Sequence, residues 1–269
     1  MAFNDRFIQA RDSFLNRTTS VDSDLVLNAS TLAPQNFSGR DLAAEIKMAV
    51  DQFKISAMDD SGYNVNYASL RESSAYHEYR NYCSPRLRYF DPVKLNTQGE
   101  RVSFWINLYN ALVIDGIIHF EVQSSVTETR WGIFSFFRKA AYNVGGQRLS
   151  LDDIEHGILR GNRGFPYLPG AHFVSDDPRL AWGVDKFDNR VHFALNCASR
   201  SCPPIRTYKS EKMDVQLDMA SRNFVDANTI IIPASSQLRT SAIFNWYKAD
   251  FGGKDGVIDF ILNHLPGDD

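Results

Sequence analysis

Cysteine is scarce in this sequence: Cys83, Cys197 and Cys202 are the whole complement. An odd set of three is not a disulfide framework, so the expectation is free thiols in a reducing, cytoplasmic setting. An excess of either charge is missing too. The 29 Lys and Arg against 32 Asp and Glu leave a net charge of −3, and the basic residues are dispersed. Nothing therefore favours nucleic acid or an acidic membrane surface as a partner. No clean membrane-spanning run exists, because the longest apolar stretch, 100–120, is broken by Glu100, Arg101, Asn107, Asn110 and Asp115. The opening residues MAFNDRFIQARDSFLNR contain no apolar signal-peptide core. The G-x-G-x-x-G, G-K-[ST], H-E-x-x-H and G-x-S-x-G fingerprints are all missing, so no nucleotide, cofactor or zincin chemistry is indicated. Neither a repeat nor a domain linker is visible.

What is present is apolar and aromatic: 43% hydrophobic and 13% aromatic residues supply a sizeable core. The stretch 100–120, ERVSFWINLYNALVIDGIIHF, reads as a buried helix. Its polar residues Glu100, Ser103, Asn107 and Asn110 are three, four and three apart, which places them on one stripe roughly 80° wide. Each such group left unpaired in a core costs roughly 1–3 kcal/mol. The stripe therefore either ties down neighbouring backbone or lines a site.

Around it, the N-terminal 36 residues read as a short helix and a polar arm wrapping the outside. A helix follows over 39–58, with Ser38 as its N-cap. Trp131, Phe134, Phe136 and Phe137 mark a packed segment. YNVGGQRL (142–149) reads as two short strands about a Gly-Gly turn. Ser150 and Asp153 form a capping box for a helix on which Asp152, His156 and Arg160 share a face. Residues 161–185 form a long loop with FPYLPGAHF at its centre, a length usual for functional loops. RVHFALNC (190–197) reads as the best strand, and 229–233 as a shorter one. The expected fold is α+β: one mostly helical domain with a small antiparallel sheet, containing 190–197, packed on the buried central helix. Residues 1–60 are expected as an arm on a domain spanning 61–269.

Several residues carry candidate chemistry. Cys197 ends the expected strand and Cys202 lies in the turn beyond. Either serves as a nucleophile where a neighbour lowers its pKa, or as a small buried apolar residue. His192 precedes Cys197 by five residues, and opposite strand parity puts the two on opposite faces. His156 lacks an orienting carboxylate on its own helix, which makes Glu100 the natural donor of one. Cys197, Cys202, His156 and His192 also compose a Cys2His2 set, so structural zinc stands as an alternative.

Taken together, FWINLYNALVI (104–114), LSLDDIEHGILR (149–160) and RVHFALNCASRSCPPIR (190–206) resemble the signature blocks of the DUF547 family, whose function is undefined. FNWYKADFG (244–252) is similar to its closing block. The resemblance spans 63–265. It implies a Cys-His-Glu site of the papain or transglutaminase kind. Cys197 would be the nucleophile, with Cys202 second, His156 the general base and Glu100 the orienting carboxylate. Asn107 or Asn110 would position groups or hold an oxyanion. Asp115 departs from the pattern, in which many members carry His. The implied activity is a cysteine-dependent hydrolase or acyl transferase acting on a peptide or amide. The alternative from another class is a non-enzymatic binding or scaffold module.

Overall fold

Residues Gln98–His119 form one long helix, and the rest of the chain packs around it. The computed structural model describes residues 3–29, 41–123, 125–126, 133–198 and 202–266. Helix α1 (Phe3–Thr18) is followed by α2 (Leu42–Ala57), the short α3 (Tyr67–Arg71) and α4 (Ser74–Glu78), then the long α5 (Gln98–His119) and α6 (Ile133–Lys139). Strands β1 (Ala141–Val144) and β2 (Gln147–Ser150) come next, then a π-helical turn (Asp153–Leu159) and a 3-10 turn (Asn189–Phe193). Helix α7 (Met213–Asn228), strands β3 (Ile230–Ile232) and β4 (Gln237–Arg239), α8 (Ile243–Trp246) and α9 (Gly253–His264) close the chain. This is a single, mostly helical α+β domain.

Helix α5 is buried from Val102 to Ile118. A helix apolar nearly all round has no solvent face, and α2 covers one side of it with Leu42, Ile46, Val50 and Phe53, all in the same core. Helix α2 thus packs its apolar face into the same core as α5. Asp41 caps α2 by accepting from the Ala43 amide; the expected cap, Ser38, lies outside the described residues, as does Trp131. Helix α1 packs against the 161–185 loop. Its Arg11 donates to the carbonyls of Pro169, Ala171 and His172, and its Asp5 accepts from Ser175, clasping the 161–185 loop.

The polar stripe on α5 is a set of braces. Ser103 Oγ donates to the Glu100 carbonyl. The Asn107 amide group pairs with both backbone groups of Tyr208, donating at 2.8 Å and accepting at 2.9 Å. Asn110 donates to the carbonyls of Ala194 (3.1 Å) and Arg206 (3.4 Å) and accepts from the Asn196 amide (3.0 Å). The two asparagines thus hold both ends of the segment that carries Cys197 and Cys202. Asp115, further along the same helix, accepts from Tyr76 and Tyr142 at 2.7 Å each and from Arg80 at 2.9 Å.

The β1–β2 hairpin pairs Ala141 with Ser150 and Val144 with Gln147. Gly145 and Gly146 both take positive φ, +55° and +84°, as a two-residue hairpin turn of this twist requires. Tyr142 and Leu149 of the hairpin enter the core around α5. A second small sheet pairs β3 with β4.

One expected strand does not form. Residues Asn189–Phe193 make a 3-10 turn capped by Asp188, and 194–198 contain no strand. The reason lies in the side chains. Phe193 enters a separate aromatic cluster with Phe224, Phe244, Phe251 and Phe260, while the preceding residue, His192, stacks on Tyr247. Asn110 then takes the backbone of Ala194 and Asn196 that a sheet neighbour would have bonded.

Candidate functional site

Residues 152–156, 192–197, Cys202 and 243–247 meet at one narrow pocket of ≈ 60 Å³. His156, His192, Cys197, Cys202, Glu155 and Tyr247 all line it. Cys197 is half-buried and Cys202 is 2% exposed.

His156 sits on a π turn that opens with the expected capping box, Asp153 accepting from the Ser150 amide and hydroxyl. Bonds of the i→i+5 type, such as Arg160 N to Glu155 O at 2.8 Å, widen the turn. The widening still leaves Asp152, His156 and Arg160 together, as their spacing predicts. Arg160 Nη1 lies 3.0 Å from His156 Nδ1. A guanidinium only donates, so Nδ1 accepts and the ring carries its proton on Nε2. That nitrogen faces Asp152 Oδ1 at 4.0 Å. Burial, reinforced by the charge of Arg160, holds His156 well below the usual histidine pKa. It is a neutral ring with no free lone pair, and so a poor general base. The role expected of His156, general base, would need a ring nitrogen that Arg160 here occupies.

Glu100, expected as the orienting carboxylate, stands in the first turn of α5. Its Oε2 accepts from the amides of Asn96 and Thr97, while Thr97 Oγ1 accepts from the Glu100 amide, a reciprocal capping box on α5. These bonds hold it below the ordinary carboxylate pKa. The pocket touches α5 at Tyr109, nine residues along, which is about 13 Å of helix. Glu100 therefore orients no histidine in this pocket. Asn107 and Asn110 are committed to backbone and do not line it.

A carboxylate with a buried side chain that does meet a pocket histidine is Asp250. Its Oδ2 lies 2.9 Å from His192 Nε2 and 2.7 Å from Arg160 Nε. Burial alone would raise this carboxyl, but the bonds from His192 and Arg160 outweigh it and keep Asp250 well below the usual range. An ionised carboxylate only accepts, so His192 carries its proton on Nε2 and keeps Nδ1 as its unprotonated nitrogen. Burial pushes His192 down, against the pull of Asp250. Tyr247 fixes the ring from one face, with centroids 3.9 Å apart at 27°. The Tyr247 hydroxyl donates to Glu155, which also accepts from Tyr109 at 3.2 Å. His192 and Cys197 share the pocket because 189–193 coils; the opposite parity expected of a strand does not apply.

Cys197 and Cys202 are joined by a disulfide, with Cα atoms 5.9 Å apart. The odd count of cysteines left room for one pair, and the leftover Cys83 is buried, its thiol pushed up to about 12 by desolvation and the nearby Glu45. Bonded to each other, the two sulfurs are not free as zinc ligands. Among the described residues no group of three or more His, Cys, Asp and Glu is arranged to hold a metal ion. Nor is any helix among them long and apolar enough to cross a membrane.

Asp250 and Tyr247 were missed at the level of sequence, although both stand in the FNWYKADFG block. An acid and a tyrosine inside an aromatic-rich block were the available signal.

A model of the family described as "Protein of unknown function, DUF547" matches residues 92–225. No curated protein and no solved structure matches the chain. The matched residues carry α5 with its asparagine braces, the Asp152–Arg160 turn and both pocket cysteines, while Tyr247 and Asp250 lie beyond them. On that match, and on the motif blocks that run through it, the chain belongs to the DUF547 family.

Proposed function

We propose that this pocket is a cysteine-dependent acyl-transfer site, a hydrolase or acyl transferase acting on a peptide or amide, in which Cys197 is the nucleophile, His192 the base and Asp250 the orienting carboxylate. The observation that carries the reading is the hydrogen bond at 2.9 Å by which Asp250, behind the pocket wall, holds His192, a residue that lines the same pocket as Cys197. A carboxylate on one ring nitrogen leaves the other free to take a proton, which is how such a pair activates a thiol.

The reaction starts from the reduced pair. The Cys197 thiol passes its proton to His192 Nδ1, and the sulfur forms a bond to the acyl carbon. The C–N bond breaks and the leaving amine takes the proton from the imidazolium. Water or an acceptor nucleophile then cleaves the thioester and restores the thiol. Asp250 keeps the imidazolium oriented without itself being protonated. Cys197 is favoured over Cys202 because it is the less buried of the two.

The test is alkylation of the reduced protein by iodoacetamide between pH 5 and 9, with peptide mapping. Cys197 should react at least about tenfold faster than glutathione at pH 6, with Cys83 as the inert internal control. His192→Gln and Asp250→Asn should remove that excess. Ordinary reactivity at Cys197, or a rate untouched by His192→Gln, sinks the reading.

A further inference from the structure

Both cysteines of the disulfide line the pocket, and hydrogen bonds hold the same segment beside it. The two sulfurs are five residues apart in sequence, so the bond closes a short loop and constrains the unfolded chain less than a long-range bridge would. The ends of the loop are already held by other means. Asn110 bonds Ala194, Asn196 and Arg206, and the Asn196 side chain donates to the Pro203 carbonyl at 2.6 Å and accepts from the Ala198 amide at 2.8 Å. Opening the S–S bond leaves these braces in place. The two sulfurs also differ in access: Cys197 is half-buried, Cys202 is 2% exposed, and both border the pocket. A bond needed as a staple would join distant elements in the core. This one joins two neighbours at a pocket wall, one of them within reach from outside.

We propose that the Cys197–Cys202 pair is a thiol–disulfide exchange centre, a second activity of this pocket whose substrate is a dithiol attacking at Cys197. The attacking thiolate of the dithiol forms an S–S bond to Cys197 Sγ. The Cys197–Cys202 bond breaks, and Cys202 leaves as a thiolate that takes up a proton. The second thiol of the reductant then loses its proton and attacks its own partner sulfur in the mixed disulfide. Cys197 is released as a thiolate that takes up a proton in turn, and the dithiol becomes a cyclic disulfide. Two electrons and two protons pass from the dithiol to the protein. The order follows from access, since exchange proceeds through the sulfur an external thiolate can reach. The exchange stands independently of acyl transfer at Cys197. Where both hold, the disulfide form is the closed state of the acyl-transfer site.

The experiment uses the whole chain. The folded protein is equilibrated with mixtures of reduced and oxidised dithiothreitol and quenched with a maleimide, and the added mass is mapped to residues. Cys197 and Cys202 should appear together as a two-thiol step, with Cys83 unlabelled and the near-UV circular dichroism native throughout. The order of attack is read on Cys202→Ser and Cys197→Ser proteins whose remaining pocket thiol carries thionitrobenzoate. Dithiothreitol should release the chromophore from Cys197 at least about tenfold faster than from Cys202. A bond that opens only on unfolding overturns the proposal, as does release from Cys202 as fast as from Cys197. The wild-type titration decides reducibility even where a serine variant fails to fold. Native-state exchange combined with an ordinary iodoacetamide rate at Cys197 supports this activity while removing acyl transfer, so the two failures are distinguishable.

Discussion

The substitution Asp152→Asn should stabilise the protein in a way that grows with pH. Asp152 is buried beside His156, with Arg138 Nε 3.6 Å from its Oδ2, too long for a hydrogen bond. Burial, with repulsion from Glu155 and Asp153, outweighs Arg138 and raises the carboxyl from 3.8 to about 7. Between those two values the folded chain holds a proton that the unfolded chain has released. The stabilisation is complete below 3.8 and is lost as pH rises through about 7. Each pH unit inside the window removes about 1.4 kcal/mol. Going from pH 5 to pH 8 crosses about two such units, or roughly 3 kcal/mol. The substituted amide does not titrate, so the stability of Asp152→Asn relative to wild type should be about 3 kcal/mol more favourable at pH 8 than at pH 5. His156 and His192, both held low by burial, act in the opposite direction, adding stability as pH rises towards 6.5. They are common to both proteins and drop out of the double difference to first order. Urea unfolding of the two proteins at the two pH values, followed by far-UV circular dichroism, gives the quantity directly. A double difference below about 0.5 kcal/mol, or of reversed sign, refutes the account of Asp152.

Glu100→Gln should cost less than about 1 kcal/mol, a capping effect, and leave the alkylation rate of Cys197 unchanged; a slowed rate would return Glu100 to the site. Asn110→Ala should cost about 2–3 kcal/mol because it strips partners from buried backbone at Ala194 and Asn196. Hydrogen exchange at the Asn196 amide should speed up in that variant, and unchanged protection would contradict the bracing role. Asp115→Ala leaves two buried tyrosine hydroxyls without their acceptor and removes the carboxylate partner of Arg80, which keeps the Leu27 carbonyl, for an expected loss of about 3–5 kcal/mol in urea unfolding. A loss under about 1 kcal/mol would mean the network is not the anchor described.

The elements that local pattern specifies were legible without coordinates. Helix α5, the Gly145–Gly146 hairpin and the Ser150–Asp153 capping box each depend on residues within a few positions of one another. The polar stripe on α5 was legible as a face, but its partners were not. Tyr208 lies 101 residues from Asn107, and Ala194 lies 84 from Asn110. Spacing along one helix carries no information about which distant backbone will meet it.

The site divides along the same line. Residue types and motif order marked Cys197, Cys202, His156 and His192 as the candidates, because few other groups in the chain offer that chemistry. Which histidine keeps a free nitrogen depended on partners drawn from far away. Arg160 covers His156 Nδ1, and Asp250, 58 residues from His192, takes the other ring by Nε2. In an extended strand His192 and Cys197 would lie on opposite faces. RVHFALNC has the composition of a strand and coils instead, since Phe193 is drawn into the C-terminal aromatic cluster and Asn110 takes the backbone bonds a sheet would need. Local propensity could establish the central helix, its stripe and the small set of reactive residues. The pairing of Asp250 with His192, the sealing of His156 and the joining of the two cysteines are non-local. They arise from packing free energy shared across the whole core, which no single stretch of the chain contains.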